Sequence, residues 1–160
     1  MDVFYYWKSF DDDIKKRRIG WLQSERPKLG EMRTRSPDNI WVFRTPKGHK
    51  GSLQLLACLK WADKPLTAMP KIKAASVVYY DPTASSSVVF TNSLSNEKID
   101  AVTLLLKRQF PQAFKGNFQG DNGIHALEAD FLFSLKKLAK EFTTEPFSSL
   151  LQTVSPQAVV

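Results

Sequence analysis

The chain has 160 residues, 42% of them hydrophobic, and its 11 Phe, 4 Trp and 4 Tyr supply enough apolar material for one core. This length suits one domain, and no apolar run approaches the roughly 18–20 residues of a membrane-spanning helix. The only cysteine, Cys58, excludes an internal disulfide bond. We therefore expect an inert buried thiol and a cytoplasmic, reducing environment.

The net charge of +7 is concentrated in the N-terminal half of the chain. Residues 1–80 contain 16 Lys and Arg against 8 Asp and Glu, whereas residues 81–160 contain 7 against 8. Such asymmetry favours a polyanionic partner, because each cation placed on a phosphate releases condensed counterions. An acidic protein, a membrane surface or a merely solubilising charge are the alternatives.

The first half alternates strand formers with polar segments. An aromatic run at residues 3–7 predicts an opening strand, and residues 9–18 predict a short helix with acids first and bases last, ended by Gly20. Residues 21–39 have the composition of a long, partly ordered connection. Residues 40–44 and 52–61 predict two strands, joined by a basic turn into a hairpin.

The second half predicts strands followed by helices. Residues 75–80 and 87–90 predict strands, the second of them short. Ser95 is a good N-cap for a helix that Pro111 ends, and a second helix is expected over residues 127–142. Between them, residues 114–123 are rich in turn formers. This order predicts a single α/β (α+β) domain over residues 1–145 and a weakly ordered tail over residues 146–160.

Residues suited to catalysis or metal binding are sparse. Neither histidine has a partner at metal-ligand spacing, and the acids of residues 11–13 are typical of a helix start. No serine occupies a nucleophile elbow, and no glycine-rich phosphate loop is present. The nearest candidates for a metal-dependent nuclease are Asp81, Glu97 and Lys98, although a helix first turn already accounts for the last two. We expect no metal, no cofactor and no catalytic site.

Aromatic and basic residues remain, and they occur together. All four tryptophans lie in the basic half, beside Tyr5 and Tyr6. Aromatic faces stack on unpaired bases while lysine and arginine position phosphates, so the combination favours a nucleic-acid-binding surface. For any one tryptophan, however, packing in the core is the more frequent role.

The order of the segments resembles that of EVE domains, members of the PUA-like superfamily to which YTH domains belong. Tyr6-Trp7-Lys8-Ser9 at the end of the first strand carries the likeness, which continues through Ile19-Gly20-Trp21 and Asn39-Ile40-Trp41-Val42-Phe43. Residues 51–59 resemble the next barrel strand, and residues 118–124 resemble the closing segment. The likeness spans about residues 3–142.

The resemblance implies a small, bent, mixed β-barrel with flanking helices and a pocket for one flipped, often methylated, base. In bacteria, similar domains serve as specificity modules of modification-dependent restriction endonucleases, so a separate nuclease partner is possible. The expected ligand is DNA, with an RNA-binding module or a non-catalytic protein-interaction subunit as alternatives. The expected base pocket comprises Tyr6, Trp7, Ser9, Trp21, Trp41 and Asn117. The expected phosphate-binding residues are Lys8, Arg17, Arg18, Arg33, Arg35, Arg44, Lys47 and Lys50.

Overall fold

The computed structural model describes residues 1–66 and 68–153, and it describes the side chains of residues 1–66 and 68–151. Its strands are β1 (Asp2–Tyr6), β2 (Trp21–Ser24), β3 (Asn39–Arg44), β4 (Gln54–Ala62), β5 (Ser76–Asp81), β6 (Val88–Phe90), β7 (Ile124–Leu127) and β8 (Thr144–Pro146). Its α-helices are α1 (Phe10–Lys15), α2 (Lys28–Glu31), α3 (Asn96–Gln109), α4 (Pro111–Lys115), α5 (Ala129–Ala139) and α6 (Ser149–Thr153). Short 3-10 helices cover Met32–Arg35 and Gly120–Gly123.

All of these strands belong to one curled sheet. Its main path runs β2-β5-β4-β3-β1-β7, with β6 paired to β4 and β8 paired to β6. β1 and β3 are parallel, whereas the other pairs are antiparallel. A register shift between Val42 and Phe43 bends the β3–β4 pair, as β-bulges do. The result is a mixed α/β fold with a half-barrel sheet.

The half-barrel stays open between its two end strands. Within the described chain, β2 pairs only with β5 and β7 pairs only with β1. Side chains bridge this opening instead: the Tyr5 hydroxyl donates to the Gln23 carbonyl oxygen at 2.9 Å, and Lys28 Nζ donates to the Asp121 carbonyl oxygen at 3.1 Å. We call this opening the seam.

Strand alternation divides the core into two clusters on opposite faces of the sheet. Val3 and Trp7 of the first strand segment pack inside the curl with Leu59 and Tyr80. Phe4 belongs to the cluster on the helical side, together with residues of α3 and α5. This segregation follows from the two-residue period of strand side chains, and it determines which face each aromatic residue reaches.

Several sequence predictions are confirmed. The strand prediction for residues 3–7 corresponds to β1, and the predicted hairpin is the antiparallel β3–β4 pair. Ser95 caps α3, its Oγ accepting from the Lys98 amide at 3.3 Å. No helix among the described residues is long and apolar enough to cross a membrane.

Other predictions require correction. Residues 21–39 are not a single connection, because they contain β2, α2 and a 3-10 helix. Ile124–Leu127, at the end of the turn-rich segment, forms β7. The predicted domain boundary after residue 145 also falls too early. Pro146 pairs with Val88, and Phe147 is completely buried against Tyr80, with ring centroids 5.7 Å apart. Residues 154–160 of the predicted tail lie outside the described chain.

Candidate functional site

A cavity with a volume of about 560 Å³ lies at the seam. This first cavity is open to solvent and falls within the size range of small-molecule sites. Strands β1 and β2 form two of its walls, and the segment that leads into β7 forms the third. Its lining residues are Tyr5, Tyr6, Lys8, Gln23, Ser24, Glu25, Arg26, Asn117, Phe118, Gln119, Gly120, Gly123 and Ile124.

Aromatic rings form a rigid wall of the first cavity. The Tyr6 and Phe118 rings stack with centroids 4.9 Å apart and only 2° between their planes. The Tyr6 hydroxyl accepts from the Thr45 amide at 3.2 Å, so the ring is held at its far end as well. Phe114 contacts Phe118 edge-on at 4.8 Å. A flat ring held on two sides provides a surface on which another planar group can stack.

The backbone beside this wall adopts an uncommon conformation. Asn117 and Phe118 are consecutive non-glycine residues with positive φ, at 52° and 57°. Asparagine tolerates this region, whereas for a bulky residue it costs on the order of 1–3 kcal/mol. The Phe118 amide donates to the Ala113 carbonyl at 3.0 Å, at the end of α4, and the ring stacking described above holds the side chain. The sequence therefore places strain at the mouth of the cavity, as functional sites often do.

Glycine is required at two positions of the cavity lining. A Cβ on Gly123 would lie 2.7 Å from the Phe118 carbonyl oxygen and 3.3 Å from Tyr6 Cβ. Gly120 has a φ of 58°, and a Cβ there would lie 3.2 Å from Arg26 Nε. Both positions let the backbone approach the walls closely, so larger residues would narrow the cavity.

Two cations of the first cavity are available to a ligand. Lys8 and Arg26 line it and are exposed. Within residues 1–66 and 68–153, neither side chain forms an ion pair or a hydrogen bond to another protein group. Glu25 is the one acid in the lining. The cavity therefore combines aromatic walls with a net positive rim, a combination suited to a planar ligand that carries negative charge.

A second cavity of about 290 Å³ adjoins the first through Tyr5 and Gln23, which line both. Asp13 is its central polar group. One Asp13 oxygen accepts from Trp7 Nε1 at 2.7 Å and from Ser9 Oγ at 2.8 Å, and the other accepts from Arg18 Nε at 2.8 Å. The guanidinium of Arg18 compensates the carboxylate, so the second cavity is polar without a surplus of either charge. Its remaining lining residues are Trp21 and Leu22.

Two tyrosine hydroxyls near the second cavity have perturbed acidities. Burial, with a smaller contribution from the Asp13 carboxylate, raises the pKa of Tyr5 above its ordinary value. Burial also raises the pKa of Tyr80; the Gly20 backbone opposes this shift, and Asp13 and Tyr5 add to it. The Tyr80 hydroxyl is the buried side-chain polar atom that lacks a hydrogen-bond partner in the described chain. Both groups therefore stay protonated and can act as hydrogen-bond donors at neutral pH.

A third, smaller cavity of about 180 Å³ adjoins the first on its other side. It shares Tyr6, Asn117 and Phe118 with the first cavity, and Lys50 contributes its cation. Lys50 lies in the second of two consecutive turns: the His49 amide donates to the Pro46 carbonyl, and the Ser52 amide donates to the His49 carbonyl, each at 3.0 Å. Gly48 and Gly51 supply the positive φ angles, 83° and 84°, that these turns require. Lys47 and Lys50 are exposed, and neither has an ion-pair partner among the described residues.

The predicted tryptophan wall is only partly realised. All four indoles are buried, with at most 8% of their surface exposed. Trp7 and Trp21 line the second cavity. Trp41 lies on the helical side of the sheet, stacked on Phe90 and donating Nε1 to the buried Asp2 carboxylate at 2.8 Å. It lines none of the three cavities, because stacking on Phe90 and the bond to Asp2 hold its indole in the core. Of the other predicted pocket residues, Ser9 lines the second cavity and Tyr6 and Asn117 line the first.

Most cations predicted to bind phosphate are engaged within the protein. Arg33 donates to the Val77 carbonyl, Arg35 pairs with Glu128, and Arg17 donates to the Leu151 carbonyl at 3.1 Å. Arg44 pairs with Asp11 at 2.7 Å and lies over the Phe10 ring, and Arg18 pairs with Asp12 and Asp13. Acidic partners compensate the charges of Arg18, Arg35 and Arg44, so these three are poor phosphate ligands in this conformation. Arg17 and Arg33 keep their charge, although carbonyl oxygens hold their guanidinium groups. Of the predicted set, Lys8, Lys47 and Lys50 lack such partners within the described residues.

The catalytic candidates have structural surroundings of their own. Asp81 accepts from the Thr83 amide and hydroxyl, each at 3.0 Å, and so closes a turn. Glu97 lies in the first turn of α3. Burial, together with the Asp2 carboxylate, raises the pKa of the Cys58 thiol to about 12, so the thiol is protonated at neutral pH. The described part of the chain contains no group of three His, Cys, Asp or Glu residues placed to hold a metal ion.

Comparison with known proteins finds no matching family model, no similar curated protein and no similar solved structure. The geometry of the seam is therefore the basis for assigning a function to this chain.

Some residues that line the seam are not among those predicted from the sequence. Tyr5 and Phe118 form cavity walls but lie outside the predicted pocket. Phe118 resembles any other core aromatic, and its role depends on the left-handed backbone at residues 117 and 118. The turn-rich segment 114–123 was the available signal, since such segments often carry binding residues.

Proposed function

We propose that the chain is a nucleic-acid-binding reader domain that accepts one unstacked base of DNA in the first cavity. The supporting observation is the first cavity itself: stacked Tyr6 and Phe118 rings on one wall, with the unpaired cations Lys8 and Arg26 on the rim. Aromatic walls hold a base and cations hold its flanking phosphates, which is the usual division of tasks in such sites.

Recognition of the base edge would fall to the polar groups of the lining. Asn117, Gln119 and Gln23 offer amide donors and acceptors around the mouth of the first cavity. A base must leave its stack to reach them, which costs a few kcal/mol and is recovered by new stacking and hydrogen bonds. A methyl group on the base adds apolar contact with the rings, so a modified base is the preferred ligand of this proposal.

The test is a binding screen with labelled oligonucleotides that differ only in one central base, unmodified or methylated, in DNA and RNA versions. We expect fluorescence anisotropy to give tighter binding for one modified base in DNA. The variant Tyr6→Leu removes the stacking ring and should weaken binding about fivefold or more, since stacking on an aromatic ring is worth on the order of 1–3 kcal/mol per base. The matched control is Tyr79→Leu, because Tyr79 is half-buried on β5 and outside the cavity lining.

The same screen separates this proposal from its alternatives. Preference for RNA of the same sequence would replace DNA by RNA as the ligand. Weak binding to every oligonucleotide at low salt would refute the reader function and favour a protein partner with an acidic surface. Equal losses in Tyr6→Leu and Tyr79→Leu would show that binding does not involve the first cavity.

A further inference from the structure

The three cavities of the seam are parts of one groove. Tyr5 and Gln23 are common to the second and first cavities, and Tyr6, Asn117 and Phe118 are common to the first and third. The order along the seam is therefore second, first, third. A ligand that fills only the first cavity would leave two adjoining hollows uncovered, so the groove is longer than a single base requires.

The chemistry of the groove changes along its length. The third cavity carries Lys50, and the rim of the first carries Lys8 and Arg26, none of them paired within residues 1–66 and 68–153. The second cavity instead holds Asp13, whose charge Arg18 compensates. A phosphate group is therefore favoured at the third cavity and disfavoured at the second. The second cavity instead suits a neutral group with hydrogen-bonding edges.

The second cavity retains hydrogen-bonding capacity for such a group. A carboxylate offers about four acceptor positions, and Asp13 accepts from Trp7, Ser9 and Arg18. Ser9 Oγ, the Gln23 amide and the Tyr5 ring complete the polar lining of this cavity. A nucleobase supplies the donors and acceptors that these groups can use, and the Trp7 and Trp21 indoles supply apolar contact.

Building on the function proposed above, we infer that the groove binds a single strand of nucleic acid over adjacent nucleotides. One base occupies the first cavity, the base next to it enters the second, and the phosphate on the opposite side lies at Lys50. Bases of a duplex are paired and cannot occupy two adjoining cavities together. Acidic partners also engage Arg18, Arg35 and Arg44, which reduces the number of predicted cations that a duplex backbone could use.

The experiment uses a labelled 21-nucleotide DNA strand of mixed sequence with one central 5-methylcytosine, alone or annealed to its complement. In further strands, an abasic site replaces the base one or three positions away on either side. We expect the single strand to bind at least about tenfold more tightly than the duplex. An abasic site at one of the two immediate neighbours should cost about fivefold or more, because one stacked base is lost. Abasic sites three positions away should cost nothing.

Protein variants locate the two ends of the groove. Lys50→Ala should weaken binding a few-fold and lower the salt dependence, whereas the control Lys140→Ala, an exposed lysine of the α5 end, should not. Ser9→Ala removes a polar group from the lining of the second cavity and should therefore reduce the penalty of the neighbouring abasic site. Thermal melts establish that each variant is folded.

Each outcome decides the inference. Duplex binding as tight as single-strand binding overturns it, as does indifference to abasic sites at both neighbours, while the reader function survives in either case. Failure of all strands and the duplex to bind, repeated with strands carrying N6-methyladenine or no modification, overturns both. A one-sided abasic penalty with a preference for the single strand supports the inference.

Discussion

The salt dependence of binding gives the sharpest test of the two unpaired cations at the first cavity. The double variant Lys8→Ala/Arg26→Ala removes both charges from the rim while leaving the ring wall untouched. Both side chains are exposed and unpaired within the described residues, so we expect the melting temperature to stay within a few degrees of the parent.

The magnitude follows from counterion release. Each cation on a single-stranded phosphate contributes about 0.7 to the slope of log K against log salt, so the double variant should lower that slope by about 1.4. Between about 50 and about 200 mM salt, this difference changes the affinity ratio of parent to variant roughly sevenfold. The variant should therefore appear most impaired at low salt.

The assay is fluorescence anisotropy at four salt concentrations with one oligonucleotide. The matched control is Arg35→Ala, whose guanidinium pairs with Glu128 and whose loss should leave the slope unchanged. Because that pair is exposed, its loss should cost at most about 1 kcal/mol of stability. An unchanged slope in the double variant, or an equal change in Arg35→Ala, would refute the assignment of Lys8 and Arg26 to phosphates.

Three further predictions concern the packing around Gly123, the buried Trp41 and the pH dependence caused by His125. Gly123→Ala forces the Phe118 carbonyl or the Tyr6 wall to move, so calorimetry should give about 1–3 kcal/mol of destabilisation; a stable variant that binds normally would contradict this. Trp41→Phe leaves Asp2 short of a buried donor, so denaturant unfolding should lose about 1–3 kcal/mol while oligonucleotide affinity is unchanged; weakened binding by the folded variant would count against our placement of residue 41. Burial lowers the pKa of His125, so the unfolded chain takes up a proton more readily as pH falls through about 6.5. The melting temperature should therefore fall toward pH 5 more steeply in the parent than in His125→Phe; equal pH dependence would exclude this histidine as a source.

The two strands of the β3–β4 hairpin could be predicted from the sequence. β3 and β4 are apolar runs bounded by turn formers, and Ser95 is a good N-cap, so local chemistry was sufficient for them. β2 was not predicted because residues 21–24 pair only with the distant β5. Their two buried residues, Trp21 and Leu22, are equally consistent with a loop whose apolar side chains pack on the core. β7 was missed because glycines and polar residues precede it.

The site was harder to predict than the fold, for physical reasons. Clustering of charge drew attention to the N-terminal half, but charge alone cannot reveal which cations are paired. Arg35 meets Glu128 from far along the chain, a contact that only the tertiary fold creates. Likewise, Trp41 and Tyr6 lie on the same face of the sheet, but only Tyr6 is close enough to the seam to line one of the described cavities. The sequence alone does not show this difference in position.

The unclosed seam has a consequence for how this molecule can change. In a fully closed barrel, the interior diameter is fixed by strand number and stagger, so altering it requires rebuilding the ladder. Here the gap between the end strands is spanned by the Tyr5–Gln23 and Lys28–Asp121 contacts, each involving a single side chain. We expect substitution of Tyr5 or Lys28, whose side chains are the donors, to alter the width of the gap without removing a backbone hydrogen bond of the sheet. The width of the gap can thus change while the strand pairing of the sheet is preserved. This arrangement favours diversification of the ligands that enter the groove.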